Sequence, residues 1–357
     1  MKKNTILCIL SFIIIISNCG LMRPKWKGVD LSDEEIKTLE VIDVEEDNIK
    51  KLIVKPLYKF NEKELDAYLK YLYNSEFDLR TRVQHLARKC INQPYQIYLL
   101  GEFPFEIHDP DPLFNLNKSD CVVFSEHIYS MALSYDWESF FATLQRIRYK
   151  DGEISYITRN HYTEYDWDIN NSWLVSDITR DLAGSRVKSV TSVYDKSLFF
   201  NRVGLNTYFA PDTFKWEYIP ANSITPELLG SLKPGDFVNI VRGYDDNDVW
   251  VGHVGLITKN DDGTTNFLHS TNPRVKEEPI MDYLNRNLQK NEERRLHNQK
   301  ARAYNQMLKE KNSNKKLKRT LPYFLGFKFL RLNDDPMWEL FKIDGFGAPR
   351  VTIPSSY

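Results

Sequence analysis

Three side chains in this sequence could together perform acyl-transfer chemistry. Cys121 lies in the run Ser119-Asp120-Cys121-Val122-Val123-Phe124; His253 and His269 lie in Gly252-His253-Val254-Gly255 and Leu268-His269-Ser270. A cysteine that opens an apolar, helix-competent stretch has its sulfur among unpaired backbone N–H groups at the positive end of the helix dipole, which favours thiolate. Two histidines on later strands complete the nucleophile, base and orienter that covalent hydrolysis needs. The thiolate, stabilised by one of the histidines as an ion pair, would attack an amide carbonyl, that histidine would protonate the leaving amine, and water would resolve the thioester. The backbone N–H of Cys121 would be the natural oxyanion donor.

The elements that must position these groups can be read from patterning. Amphipathic helices begin at Asn61-Glu62-Lys63-Glu64 and run from Phe77 to Asn92, and Pro94-Tyr95 ends the second. Ser119 or Asp120 can cap a helix from about Cys121 through Leu133, and Trp137 to Ile147 reads as another. The second half is strand-rich, with runs at Phe237–Val241, Val249–Thr258 and Thr265–Ser270 separated by turn residues such as Asp261-Asp262-Gly263. Three consecutive antiparallel strands would bring cross-strand side chains within about 5 Å when register and face agree, so one hairpin can set His253 beside His269. The expected fold class is α+β, with N-terminal helices packed on an antiparallel sheet. Residues from about 285 to 320 are rich in Lys, Arg, Gln and Asn and read as an inserted basic helix or helical hairpin, either a solvated arm or a contact with anionic polymer or lipid headgroups. The apolar run Leu321–Leu330 then supplies a strand that rejoins the sheet.

The beginning of the chain bears on where it works. Lys2 and Lys3 precede an apolar run of roughly 11 residues, Ile6 to Ile16, where about 20 are needed to span a bilayer, so residues 1–18 read as a signal peptide. Ile16-Ser17-Asn18-Cys19-Gly20 resembles a bacterial lipobox in which Cys19 is lipidated, although Asn18 replaces the usual small residue and plain secretory cleavage is the alternative. Residues 19–56 then read as a lipidated tether carrying a short helix after Ser32, and 57–357 as the enzyme domain. Net charge of −1 over 357 residues argues against bulk nucleic-acid binding, and 42% hydrophobic residues allow a large core. Of four cysteines, Cys90 and Cys121 remain in the body. A disulfide between them would consume the thiol best placed for chemistry, so Cys90 reads as a small buried hydrophobe. The seven histidines include no i, i+4 pair of a zinc helix and there is no Cys-x-x-Cys, so neither metal nor other cofactor is expected.

The ordered set Pro94-Tyr95, Asp120-Cys121, Gly235-Asp236, His253-Val254-Gly255 and Leu268-His269 resembles the NlpC/p60 superfamily of papain-like cell-wall hydrolases. The runs Arg148-Tyr149-Lys150-Asp151-Gly152, Thr158-Arg159-Asn160-His161-Tyr162, Asp166-Trp167 and Ser176-Asp177-Ile178-Thr179 are similar, more narrowly, to its N-acetylmuramoyl-L-alanine amidase-like branch. The resemblance covers roughly Phe77 to Tyr283. It implies a papain-like fold, Cys121 as nucleophile, His253 as base, His269 as orienting residue, and Tyr95 with its hydroxyl beside the nucleophile. It also implies cleavage between N-acetylmuramic acid and L-alanine in peptidoglycan fragments.

Such a substrate carries sugar rings and acidic stem residues. Arg148, Arg159, His161, Asp166 and Trp167 offer carboxylate-binding donors, a hydrogen-bonding acid and an aromatic plate, and Tyr95 and Asp120 flank the nucleophile. The alternative for the turn-rich members is that they knit their own loops together, and His161 rivals His269 for the third catalytic place. Three functions remain open: an amidase or a stem-peptide endopeptidase on cell-wall fragments, another papain-like thiol hydrolase or acyltransferase, and a non-catalytic envelope lipoprotein that binds such fragments. The expected enzyme is a monomer in the cell envelope, held to a membrane through its lipid.

Overall fold

The computed structural model describes residues 29–244, 247–312, 314–345 and 349–351, so the expected signal peptide and the lipidation of Cys19 lie outside the described residues. Among the described residues, six helices of nine residues or more precede the sheet. Ser32 starts α1 (Asp33–Val41) through a capping box with Glu35, and α2 (Glu46–Val54) follows. Asn61 and Glu64 form a second capping box at α3 (Glu62–Ser75), and Asp78 caps α4 (Leu79–Lys89). Next come α5 (Cys121–Leu133) and α6 (Trp137–Arg148). Every residue of α5 from Val123 to Leu133 is buried, as expected of a helix that is apolar on all sides. It packs against α4, α6 and the sheet.

The sheet has eight strands, all paired antiparallel: β1 (Val175–Asp177), β2 (Lys188–Tyr194), β3 (Asp212–Pro220), β4 (Phe237–Tyr244), β5 (Asn247–Lys259), β6 (Thr265–His269), β7 (Lys276–Pro279) and β8 (Tyr323–Leu332). Their order is β2-β3-β8-β4-β5-β6-β7, with β1 also on β8. The meander β4-β5-β6 agrees with the sequence reading. The apolar run after residue 320 does rejoin the sheet, and it does so in the interior, between β4 on one side and β1 and β3 on the other. On one face Val254, Leu256 and Leu268 meet the helices; on the other Ile257 and Phe267 meet Tyr283 and Leu284.

Two segments differ from expectation. Within the segment read as a tether, residues 29–56 form two packed helices, with Leu39, Ile49 and Leu52 inside the main core. Their short apolar stripes, three to four residues apart, are diluted by charge, which disguised them as linker. The basic segment starts earlier than expected, as one helix from Ile280 to Glu310. Asparagines on that helix grip the returning chain. Asn291 holds both the N–H and the C=O of Phe324 at 2.9 and 2.7 Å, Asn298 those of Leu321 at 2.7 and 2.9 Å, and Asn305 those of Lys318, both at 2.8 Å. Seven residues of helix advance about 10.5 Å and three of extended chain about 10 Å, so the two spacings stay in step.

Ile49 is fully buried. Ile49→Ala should therefore cost about 2–5 kcal/mol of stability, read as a lower urea midpoint. An unchanged midpoint would detach α1 and α2 from the folded unit.

Candidate active site

Cys121 is the first residue of α5, and Asp120 is its cap, with Oδ1 accepting the N–H groups of Val122 and Val123 at 3.0 and 2.9 Å. Cys121 is half-buried, and the main-chain N–H groups of Val254, Cys121 and Val122 lie near enough to its sulfur to favour the thiolate. Burial, and then the Asp120 carboxylate, push the thiol up to about 12, against the pull of those three N–H groups. The helix start therefore does not by itself make a resting thiolate, because desolvation outweighs it. Tyr95 stands near enough that charge on Cys121 acts on its phenol, although burial is the main cause of its upward shift. Ser119 ties this loop to the histidine strand: its Oγ donates to Gln93 Oε1 at 2.8 Å, and Ser270 Oγ donates to the Ser119 carbonyl at 2.9 Å.

His253 and His269 meet, with Nε2 of the first 2.6 Å from Nδ1 of the second. They are diagonal partners. Leu256 pairs with Leu268, so Gly255 faces His269, and a Cβ on Gly255 would lie 2.8 Å from His269 Cβ and 2.6 Å from the Phe267 ring. The missing side chain lets His269 lean across β5 to reach His253. Phe267 stacks on His269 at 4.4 Å between centroids and Tyr283 presents an edge at 5.6 Å. Behind His269, Nε2 lies 3.1 Å from Oε1 of Glu278, which also receives Lys276 Nζ at 2.9 Å and Arg286 Nη2 at 2.8 Å. Burial lowers the pKa of both histidines, and for His253 the charges of His269, Arg242 and Lys276 add to it. Burial favours a neutral Glu278, yet hydrogen bonds from His269, Arg286 and Lys276 hold its carboxyl far below the usual range.

Most of the expected substrate contacts are committed elsewhere. Trp167 is 1% exposed, stacks on Phe237 at 4.5 Å and donates Nε1–H to Glu126, so it is core and not a sugar plate. Arg148 is buried on the Leu100 carbonyl, Glu126 and the Tyr149 hydroxyl. Arg159 is clamped by Glu102 and Asp109. His161 lies 2.6 Å from the Tyr156 carbonyl among the rings of Tyr156, Phe199 and Phe200, where burial pulls it down to about 3, and it is not the partner of His253. Asp166 receives Lys196 Nζ at 2.6 Å and the N–H of Tyr162. These residues knit the 148–167 loops onto α5. Cys90 is a buried free thiol, as expected.

Sequence reasoning missed Glu278, Ser119, Ser270, Gln93 and Arg242. Glu278 sat unmarked in Lys276-Glu277-Glu278-Pro279. Arg242 lies across from Trp250 in the β4–β5 register and acts on His253, and among the described residues no carboxylate pairs with it. A groove of about 640 Å³, lined by Tyr162, Glu164, Tyr194, Val249 and Trp250 among others, lies along the start of β5.

The Gly255 gap can be tested directly. Gly255→Ala should displace His269 and lower kcat/KM by about 100-fold or more, because a misplacement of about 1 Å has that scale, with about 1–3 kcal/mol lost to overpacking. Parent-like kinetics would show that the strand spacing does not set the histidine pair.

Similarity to known proteins agrees with this architecture. The structure is similar to that of a Legionella pneumophila protein of the DUF1460 family at a TM-score of 0.59, with 19% identity over 76% of this chain and 95% of the other. An N-acetylmuramoyl-L-alanine amidase from Bacteroides uniformis matches at 0.49, with 19% identity over 71% of this chain and 99% of its own. A putative xylanase from Bacteroides fragilis matches at 0.46, with 21% identity over 69% and 98%. No curated protein sequence matches. The model of the AmiA-like family, described as N-acetylmuramoyl-L-alanine amidase-like, matches residues 85–289, a span that holds Cys121, His253, His269 and Glu278. The chain belongs to this AmiA-like, N-acetylmuramoyl-L-alanine amidase-like family.

Proposed function

We propose that this chain is a cysteine amidase of the papain-like NlpC/p60 kind, hydrolysing the bond between N-acetylmuramic acid and L-alanine in peptidoglycan fragments. Membership of an amidase-like family implies a hydrolase with a peptidoglycan-related substrate. The observation that carries the finer reading is the juxtaposition of a cysteine at a helix start, its sulfur against the N–H of Val254, with the hydrogen-bonded pair His253–His269 on the same strand and its neighbour.

In this mechanism thiol and imidazole are both neutral at rest. His253 takes the Cys121 proton as sulfur attacks the amide carbonyl, and the Cys121 N–H donates to the oxyanion. The imidazolium then protonates the leaving amine. Water, deprotonated by His253, cleaves the thioester and returns the proton to the sulfur. Trp250, in the groove at the start of β5, would take the role of sugar platform assigned to Trp167, and Arg242, across from it, the role of cation assigned to Arg148 and Arg159. The resemblance of Ile16–Gly20 to a lipobox supports a reading in which Cys19 carries a lipid anchor and the enzyme works in the cell envelope; Cys19→Ser should move it from the membrane to the soluble fraction, and unchanged fractionation would remove that reading.

Mass spectrometry of defined muropeptides tests the function. Free sugar and an intact stem peptide beginning with L-alanine are expected, with turnover abolished in Cys121→Ala; an L-alanyl-D-glutamate product would assign an endopeptidase instead, and activity in the variant would overturn the mechanism. Arg242→Ala should raise KM more than it lowers kcat in the same assay. Because the base must be neutral and its pKa lies below the ordinary histidine value, the acid limb of kcat/KM should fall below about pH 6.5. An acid limb above that value would contradict a buried neutral His253.

A further inference from the structure

We propose that Glu278 is a positioning residue of this site: its carboxylate, held by Arg286 and Lys276, fixes the tautomers of His269 and His253 in series so that Nδ1 of His253 is left free as the base. The inference rests on the roles of Cys121 and His253 given above and extends them by one strand.

The argument follows the protons. An ionised carboxylate accepts hydrogen bonds and donates none. Glu278 lies 3.1 Å from Nε2 of His269, so that nitrogen carries the proton and donates it. A neutral imidazole has one N–H, which leaves Nδ1 of His269 as an acceptor. The only donor it can take from its partner 2.6 Å away is Nε2–H of His253. His253 is then proton-free at Nδ1. The opposite order of protons, with each histidine protonated at Nδ1, would give His253 no lone pair there, and it would place two acceptors, Nε2 of His269 and the Glu278 oxygen, against each other.

The surroundings keep Glu278 in the required state. Arg286 donates from both Nη1 and Nη2, one to each carboxylate oxygen, and Lys276 lies 2.9 Å from Oε1. Arg286 stands on the long helix one turn and a half into its first stretch, and Lys276 and Glu278 alternate on β7. Lys276 precedes Glu278 by two residues, so both point to the same side of the strand. The helix that follows β7 therefore supplies the clamp that holds the last member of the relay. Groups that fix a histidine tautomer from behind typically contribute 10- to 100-fold, on the order seen for partners of ligating histidines.

The test uses the full chain with ¹⁵N-labelled histidine. In the parent, imidazole nitrogen shifts should show His253 and His269 both protonated at Nε2; Nδ1 protonation of His253 would overturn the proposal with no variant needed. In Glu278→Ala we expect mixed tautomers and kcat about 10- to 100-fold lower with KM within about two-fold. Glu278→Gln should recover much of the loss, because Lys276 and Arg286 turn its amide oxygen toward His269. Parent tautomers and parent kcat in Glu278→Ala would overturn the relay. Alkylation of Cys121 by iodoacetamide, followed by peptide mapping, separates the two levels. If His253→Ala leaves the alkylation rate unchanged, the base assignment itself fails; if His253→Ala slows alkylation and Glu278→Ala does not, the relay alone fails.

Discussion

The site depends on a vacancy the size of one methyl group. Strands β5 and β6 pair with Leu256 opposite Leu268, and the next position along β5 has no side chain. His269 fills that space and leans diagonally onto His253. Direct cross-strand partners would have set the rings side by side at the mercy of their rotamers. The diagonal contact is instead fixed by Phe267 stacked on one side of His269 and by the edge of Tyr283 on another. The sheet thus determines the distance between the two histidines, and α5 brings the sulfur to Val254.

Burial sets the resting charges. The same packing that orders the rings removes them from water, which drives the thiol up and the imidazoles down, so neither is charged at neutral pH. Formal charge is displaced outward, to Glu278 with Arg286 and Lys276 on one side and to Asp120 on the other. In the proposed mechanism this arrangement would favour moving a proton during attack over storing a thiolate beforehand, with the N–H groups at the helix start acting on the developing negative charge.

What the sequence disclosed, and what it withheld, follows from this. Cys121 was legible because a cysteine before an apolar run after Asp120 has few other readings, and the β4-β5-β6 meander because its alternation and turns are local. The α+β class followed from these. The burial and partners of Trp167, Arg148, Arg159 and Asp166 were not legible because the 148–167 loops have no periodicity to separate inside from outside, and a buried Arg with a Glu partner has the same letters as an exposed one. The first helix was legible from its Ser32 cap, whereas the second, and the packing of both into the core, were hidden by charge around thin apolar stripes. Glu278 needed the register of β6 against β7, which pairs Phe267 with it and His269 with Lys276 and lies beyond any single-strand pattern.

One feature of the sheet bears on how the chain comes to be folded. The strand that joins the two halves, β8, is near the end of the sequence, yet β1, β3 and β4 all wait for it. Until residues 323–332 have been synthesised, β4 presents an unpaired edge and the β2–β3 hairpin has no neighbour in the sheet. Closure spans roughly a third of the chain, a long-range pairing of the kind that is slow and exposes sticky edges. A chain interrupted before residue 320 would carry its entire candidate site and still offer two open strand edges to the nearest copy of itself. The residues of the candidate site are all synthesised before the strand that closes the sheet beside them.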